Sequence, residues 1–173
     1  AFITGSTVDS TTDYPTTFGA FDTSHNGISD VFVTKLDDSG SALLFSSLIG
    51  GSADDTGNDI EIDSFGSAFV TGITNDGVTD YPTTAGSFDT TQNGSGDVFV
   101  TKMNPAGTGL SYSTFIGGDG FDPGNAISVD SSGNAFVTGN TDLSATTNLF
   151  TTLEAFQPTH SGAIDGFVVK FGD

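Results

Sequence analysis

Ala68-Phe69-Val70-Thr71-Gly72 decides how this chain is read. The same five positions return as Ala1-Phe2-Ile3-Thr4-Gly5 and as Ala135-Phe136-Val137-Thr138-Gly139, so the starts fall at residues 1, 68 and 135, a constant interval of 67. A fixed period of that size declares a repeat architecture, in which no unit buries its apolar surface alone and each relies on neighbours like itself.

The rest of the chain falls into register with this stretch. Asp30-Val31-Phe32-Val33-Thr34-Lys35 is echoed at 97–102 and 165–170. Leu43 to Gly51 is matched by Leu110 to Gly118, and Gly57-Asn58-Asp59-Ile60-Glu61-Ile62-Asp63 by Gly124-Asn125-Ala126-Ile127-Ser128-Val129-Asp130. The chain therefore reads as one repetitive domain over 1–173, with copies at 1–67 and 68–134 and a partial third at 135–173 that carries one inserted residue.

Each run is short, β-branched or aromatic, and bounded by Gly, Asn, Asp and Ser, which is strand chemistry. No window keeps a helical period, so the fold class is all-β. Asp63-Ser64-Phe65-Gly66 and Asp130-Ser131-Ser132-Gly133 read as hairpin turns, Asp accepting turn N–H groups and Gly supplying positive φ. One repeat thus yields four antiparallel strands. Both sides of Val31-Phe32-Val33 are apolar, so the small sheet needs a neighbour on each face, which is the logic of β-propeller blades. The 16 Phe would form the packing between them.

The succession Gly-Asn-Ala-Phe-Val-Thr-Gly, Asp-Tyr-Pro-Thr-Thr (13–17 and 80–84), Asp-Val-Phe-Val-Thr-Lys and Tyr-Ser-Thr-Phe-Ile-Gly-Gly resembles the bacterial β-propeller repeat called SBBP, along essentially the whole chain. Asn148-Leu149-Phe150-Thr151-Thr152 replaces the Asp-Tyr-Pro segment in the third copy. The resemblance implies a propeller fold in a large exported or surface protein of bacterial or archaeal origin. On a propeller register a full blade runs from about Gly57 to Gly118, the first blade lacks its innermost strand and the last its outermost. That leaves about two and a half blades, fewer than the four of the smallest closed ring. The open edges call for a partner: the rest of a longer propeller chain, or other copies of the same chain pairing head to tail into a ring or filament.

Composition narrows the function. With 22 acidic residues against three Lys and no Arg, the formal charge is −19. Nucleic acid and anionic membranes are excluded as partners, because both are held by Lys and Arg. No apolar run approaches the roughly 18 residues of a membrane helix. The absence of Cys removes disulfides and thiolate metal sites. If the chain is exported, any leader has been removed.

The acidic residues gather in predicted loops on one face: Asp9, Asp13, Asp22, Asp54, Asp55, Asp76, Asp80, Asp89, Asp119, Asp122 and Asp142. Calcium, a hard cation bound by carboxylate and carbonyl oxygens, is the cofactor they could hold, with Asp54, Asp55 and Asp59 as one candidate cluster and Asp119 and Asp122 as its continuation. The spacing matches no EF-hand, and turn capping by Asp is the alternative. Lys35, Lys102 and Lys170 share one repeat position, which suggests a repeated ion pair or carbonyl contact. His25 and His160 are equivalent, with Gln92 in the middle copy, so a hydrogen-bonding role fits the slot and a catalytic base does not. Tyr14, Tyr81, Phe18, Phe21 and Phe88 could stack on sugars as in a lectin, or anchor their loops. No Ser/His/Asp arrangement and no phosphate loop can be assembled. The expected function is a non-enzymatic extracellular structural or adhesive module; the alternative is a segment that binds glycans or surface proteins.

Overall fold

The computed structural model describes residues 1–8, 14–75, 80–142 and 151–172. Among them it contains ten strands and no helix: β1 (Phe2–Val8), β2 (Ser29–Leu36), β3 (Leu43–Ile49), β4 (Asp54–Ile62), β5 (Ala68–Asn75), β6 (Gly96–Met103), β7 (Leu110–Ile116), β8 (Gly124–Val129), β9 (Ala135–Asp142) and β10 (Ile164–Phe171).

Pairing is antiparallel between sequence neighbours, giving three units: β1–β3, β4–β7 and β8–β10. The first two join into one seven-stranded sheet through a single parallel pair, Ser29 with Asp54. Gly96 and Phe121 make the same parallel bridge between the second and third units. Register repeats as the motifs do: Phe2 faces Lys35, Phe69 faces Lys102 and Phe136 faces Lys170. The strand expected to start at Gly57 begins earlier, at Asp54, because Asp54 pairs with Ser29 on one side and Asn75 on the other.

The hairpin turns follow their chemistry. Asp63 Oδ1 accepts the N–H groups of Phe65 and Ser67 at 3.0 and 2.8 Å while Gly66 sits at φ 86°. Asp130 Oδ1 accepts those of Ser132 and Asn134, both at 2.9 Å, beside Gly133 at φ 85°.

Both faces of the middle unit are buried. Val70, Phe99, Met103 and Phe115 pack with Val31, Val33, Phe45 and Ile49 of the first unit. Phe69, Val98, Val100 and Ile116 pack with Ile127, Ala135 and Val137 of the third. Alternation along β6 sends Phe99 one way and Val98 and Val100 the other. All eight residues of β6 are buried, whereas equivalent β10 alternates between exposed and half-buried.

The units approach closely at Gly57 within β4 and at Gly124, the first residue of β8. A Cβ on Gly124 would run into Thr71 Oγ1 and lie 2.8 Å from Val98 Cγ1; on Gly57 it would lie 2.6 Å from Thr4 Oγ1 and 2.9 Å from Val31 Cγ1. Only glycine admits that contact. Asn58 Nδ2 then donates to Gly124 O at 2.8 Å, and Ile127 N donates to Asp59 Oδ2 at 2.8 Å, tying β4 to β8.

The described part of the long loop in each of the first two units runs back along that unit's last strand, β3 or β7. Thr17 N donates to Ser46 O and Ser46 N to Thr17 Oγ1; Thr84 and Ser113 repeat the exchange. Leu48 N and Phe115 N donate to Asp22 O and Asp89 O. The edge groups of β3 and β7, otherwise a template for a stray strand, are thereby engaged from within the chain.

Candidate functional site

The parallel bridges mark two seams between units, and each seam gathers carboxylates. At the first, Asp30 on β2 meets Asp55 on β4. Asp30 Oδ2 accepts Asn26 N at 3.0 Å and Asp55 Oδ2 accepts Gly51 N at 2.8 Å. A Cβ on Gly50 would sit 2.5 Å from Asp30 Oδ1 and 3.0 Å from Asp55 Oδ2, so the two carboxylates share the space left by its missing side chain. Asp80, from the loop of the second unit, covers Gly51 and accepts Ser52 N at 2.8 Å.

The second seam repeats this arrangement 67 residues on. Asp97 on β6 lies over Gly117 and accepts Asn93 N at 2.9 Å; Asp122, just before β8, accepts Gly118 N at 2.8 Å. Asp30, Asp55 and Asp97 are 0% exposed and Asp122 is 1%. In all four, Oδ2 is engaged and Oδ1 is buried with no hydrogen-bond partner. In the third copy Asp165 Oδ2 accepts Ser161 N at 2.7 Å, and Gln157 and His160 lie beside it.

Burial has the consequence expected for carboxylates short of counter-charge. It pushes Asp55 up to about 6, against the Thr74 hydroxyl and the Gly51 N–H, with Asp30 and Asp80 adding to the rise. It pushes Asp97 up to about 7, against the Asn93 N–H, with Asp122, Asp89 and Asp119 adding to the rise. Asp30 is also raised, by burial first and by Asp22, against the Asn26 and Gly27 N–H groups and the nearby His25.

The five sequence candidates for calcium are dispersed along these seams. Asp54 Oδ1 takes the Ser29 hydroxyl, and Asp59 accepts Ile60 N and, across to the third unit, Ile127 N. Asp55 and Asp122 belong to the buried pairs, and Asp119 contributes to the field on Asp97. Among the described residues, no three His, Asp or Glu side chains group so as to hold a metal ion. Asp30 and Asp97 were visible in the sequence as a recurring Asp before an apolar strand, but their partners lie 25 residues on and in the following unit. Asp9, Asp13 and Asp76 lie outside the described residues.

The other recurring side chains serve the fold. Lys35, Lys102 and Lys170 lie over the rings of Phe2, Phe69 and Phe136 at 5.0, 4.9 and 5.2 Å, each over its cross-strand partner, a cation–π contact. Among the described residues, Lys102 adds an ion pair, to Asp63 at 3.8 Å. His25 and His160 donate Nε2–H to the carbonyls of Thr7 and Thr141 at 3.0 and 3.1 Å. Tyr14 stacks on Phe32 at 4.4 Å and reaches Thr34; Tyr81 stacks on Phe99 at 4.7 Å and reaches Thr101. Both rings therefore anchor their loops. Phe18 and Phe65 are exposed.

Residues 111–142, from β7 across the second seam to the end of β9, match the family model described as a beta-propeller repeat, SBBP. No curated protein matches the chain.

Proposed function

We propose, from that match and the stacking of like units, that the chain is a run of β-propeller blades with a non-catalytic, structural role. On this reading the 67-residue repeat is the blade: β4–β7 is a full one, β1–β3 lacks the innermost strand and β8–β10 the outermost, about two and a half blades in all. The observation that carries it is the middle unit, whose two faces are both buried against units like itself.

The partner is then a further unit of the same kind, in a longer chain or a second copy, laid on the open face of β10. Ile164 and Val168 there are 64% and 73% exposed, where equivalent positions of β6 are covered by the next unit. Charge of −19 suits an exported or cell-surface protein in a cation-rich medium. No helix among the described residues is long and apolar enough to cross a membrane. A glycan-binding role has less support, since Tyr14 and Tyr81 stack on strand aromatics inside the chain. Calcium remains part of the proposal as a structural ion.

Sedimentation velocity over a hundredfold concentration range tests the partner. Self-association that Val168→Lys weakens supports assembly from copies. A strictly monomeric chain refutes assembly from copies and confines the partner to a longer chain.

A further inference from the structure

The two seams carry more than packing. Each places two buried carboxylates from consecutive units side by side, with no Lys or Arg among the groups that shift them: Asp22, His25 and Asp80 around the first pair, Asp89 and Asp119 around the second. Each pair leaves two carboxyl oxygens buried and unpartnered, although the backbone N–H groups around them are used on the Oδ2 atoms. A single buried acceptor left over is a local accident. Four equivalent ones, at the same two repeat positions in two seams, are a built feature. A buried charge persists only when it is paired, hydrogen-bonded or coordinated to a metal.

We infer that each seam is a cation site, Asp30 with Asp55 and Asp97 with Asp122, in which a hard divalent cation of the calcium class clamps one unit to the next. This deepens the calcium component of the proposed function and rests on the stacked-unit reading. It shifts the ligand set from the five loop carboxylates to two pairs that retain only Asp55 and Asp122. Two carboxylates alone do not fill the roughly six to eight positions of a calcium shell, and the rest would be completed by neutral oxygens and water. A cation at this point touches both units at once, so it stabilises their contact as well as the acids. The same arrangement recurs in form at Asp165, whose counterpart would belong to the next unit.

The test uses the chain as it stands. Thermal unfolding is followed at neutral pH with chelator and with millimolar calcium, and binding is followed by calorimetry. The expected result is two calcium ions per chain and a midpoint raised by several degrees. Asp30→Asn with Asp97→Asn should abolish both effects, while Asp37→Asn, at an exposed turn, should leave them intact. Because Asp→Asn at a buried site alters stability by itself, the reading is the calcium-dependent difference within each variant, not its absolute midpoint. If the doubly substituted chain does not fold, terbium luminescence sensitised by Tyr81, which lies in the field of Asp55, reports the first site in the parent chain and should vanish in Tyr81→Phe and on adding excess calcium. A midpoint indifferent to calcium and chelator overturns the inference. Calcium stabilisation that survives the double substitution overturns the assignment of ligands. None of these outcomes bears on whether the units stack, which the loss of apolar packing tests separately.

Discussion

Phe32, Phe99 and Phe167 occupy one repeat position on β2, β6 and β10 but differ in enclosure, so replacing each with Ala separates packing between units from the strand's own merits. Phe99 is 0% exposed, stacked on Tyr81 at 4.7 Å, and packed with the first unit's core. A buried Phe→Ala typically costs about 3–5 kcal/mol in lost transfer energy and cavity, and the broken stack adds about 0.5–1.5 kcal/mol. Phe99→Ala should therefore fall near the top of that range. Phe32, half-buried and stacked on Tyr14 at 4.4 Å, and Phe167, half-buried at the margin of the cluster between the second and third units, leave smaller cavities. Each should lose roughly 1–2 kcal/mol, the share of a side chain already partly in water. Urea unfolding followed by circular dichroism measures all three, with a constant m-value required before the midpoints are compared. Equal losses at the three positions would refute the reasoning, because they would locate the stabilisation within each sheet and not between sheets.

Other expectations follow from individual contacts. Gly124→Val should destabilise by about 1–3 kcal/mol, because its side chain enters space held by Thr71 and Val98; an unchanged urea midpoint would contradict the close approach of units. Tyr81→Phe keeps the stack but removes the hydroxyl contact with Thr101 at 3.2 Å, and since Thr101 also bonds Ser113 the loss should be only about 0.5–1 kcal/mol by the same assay. In chelator, unfolding free energy should fall as pH rises from about 4 to about 8. Asp55 and Asp97, at about 6 and about 7 against 3.8 for a free aspartate, hold protons in the folded chain that the unfolded chain releases. Their contribution is full below the unfolded value and lost as pH passes the folded ones. Asp37 and Asp130 are shifted the other way by turn N–H and side-chain hydrogen bonds and act only below that window. Stability that rises from pH 5 to pH 8 would contradict the buried pairs.

Much of the architecture was legible because it is local. The repeat of Ala-Phe-Val-Thr-Gly against Asp-Val-Phe-Val-Thr-Lys fixes which strands pair and in what register, and each Phe does face its Lys. The nature of that contact was not legible: three Lys in one slot suggested a repeated ion pair or carbonyl contact, whereas the ring across the strand is the shared partner and, among the described residues, Lys102 adds a carboxylate. The seams were harder still. Asp54, Asp55 and Asp59 are neighbours in sequence, but strand alternation and the bulge between Gly57 and Asp59 turn them to different partners: the Ser29 hydroxyl, the Asp30 seam and the third unit. Asp30 joins Asp55 only once two units are stacked, and no pattern within one repeat records that. The covering of β3 and β7 by Thr17 and Thr84 was hidden for the same reason, since a Thr-rich loop looks alike whether it hangs in solvent or seals a sheet edge.

The contact between units is tested most directly by nuclear Overhauser effects from Gly57 in β4 and Gly124 in β8 to the preceding unit. The space above Gly57 is filled by Val31 and that above Gly124 by Val98, with methyl carbons 2.9 and 2.8 Å from where a Cβ would stand. Strong cross-peaks from the Gly57 and Gly124 α-protons to the Val31 and Val98 methyl groups are predicted. Their absence from an assigned spectrum that shows the cross-strand peaks within each sheet would mean that the units do not stack.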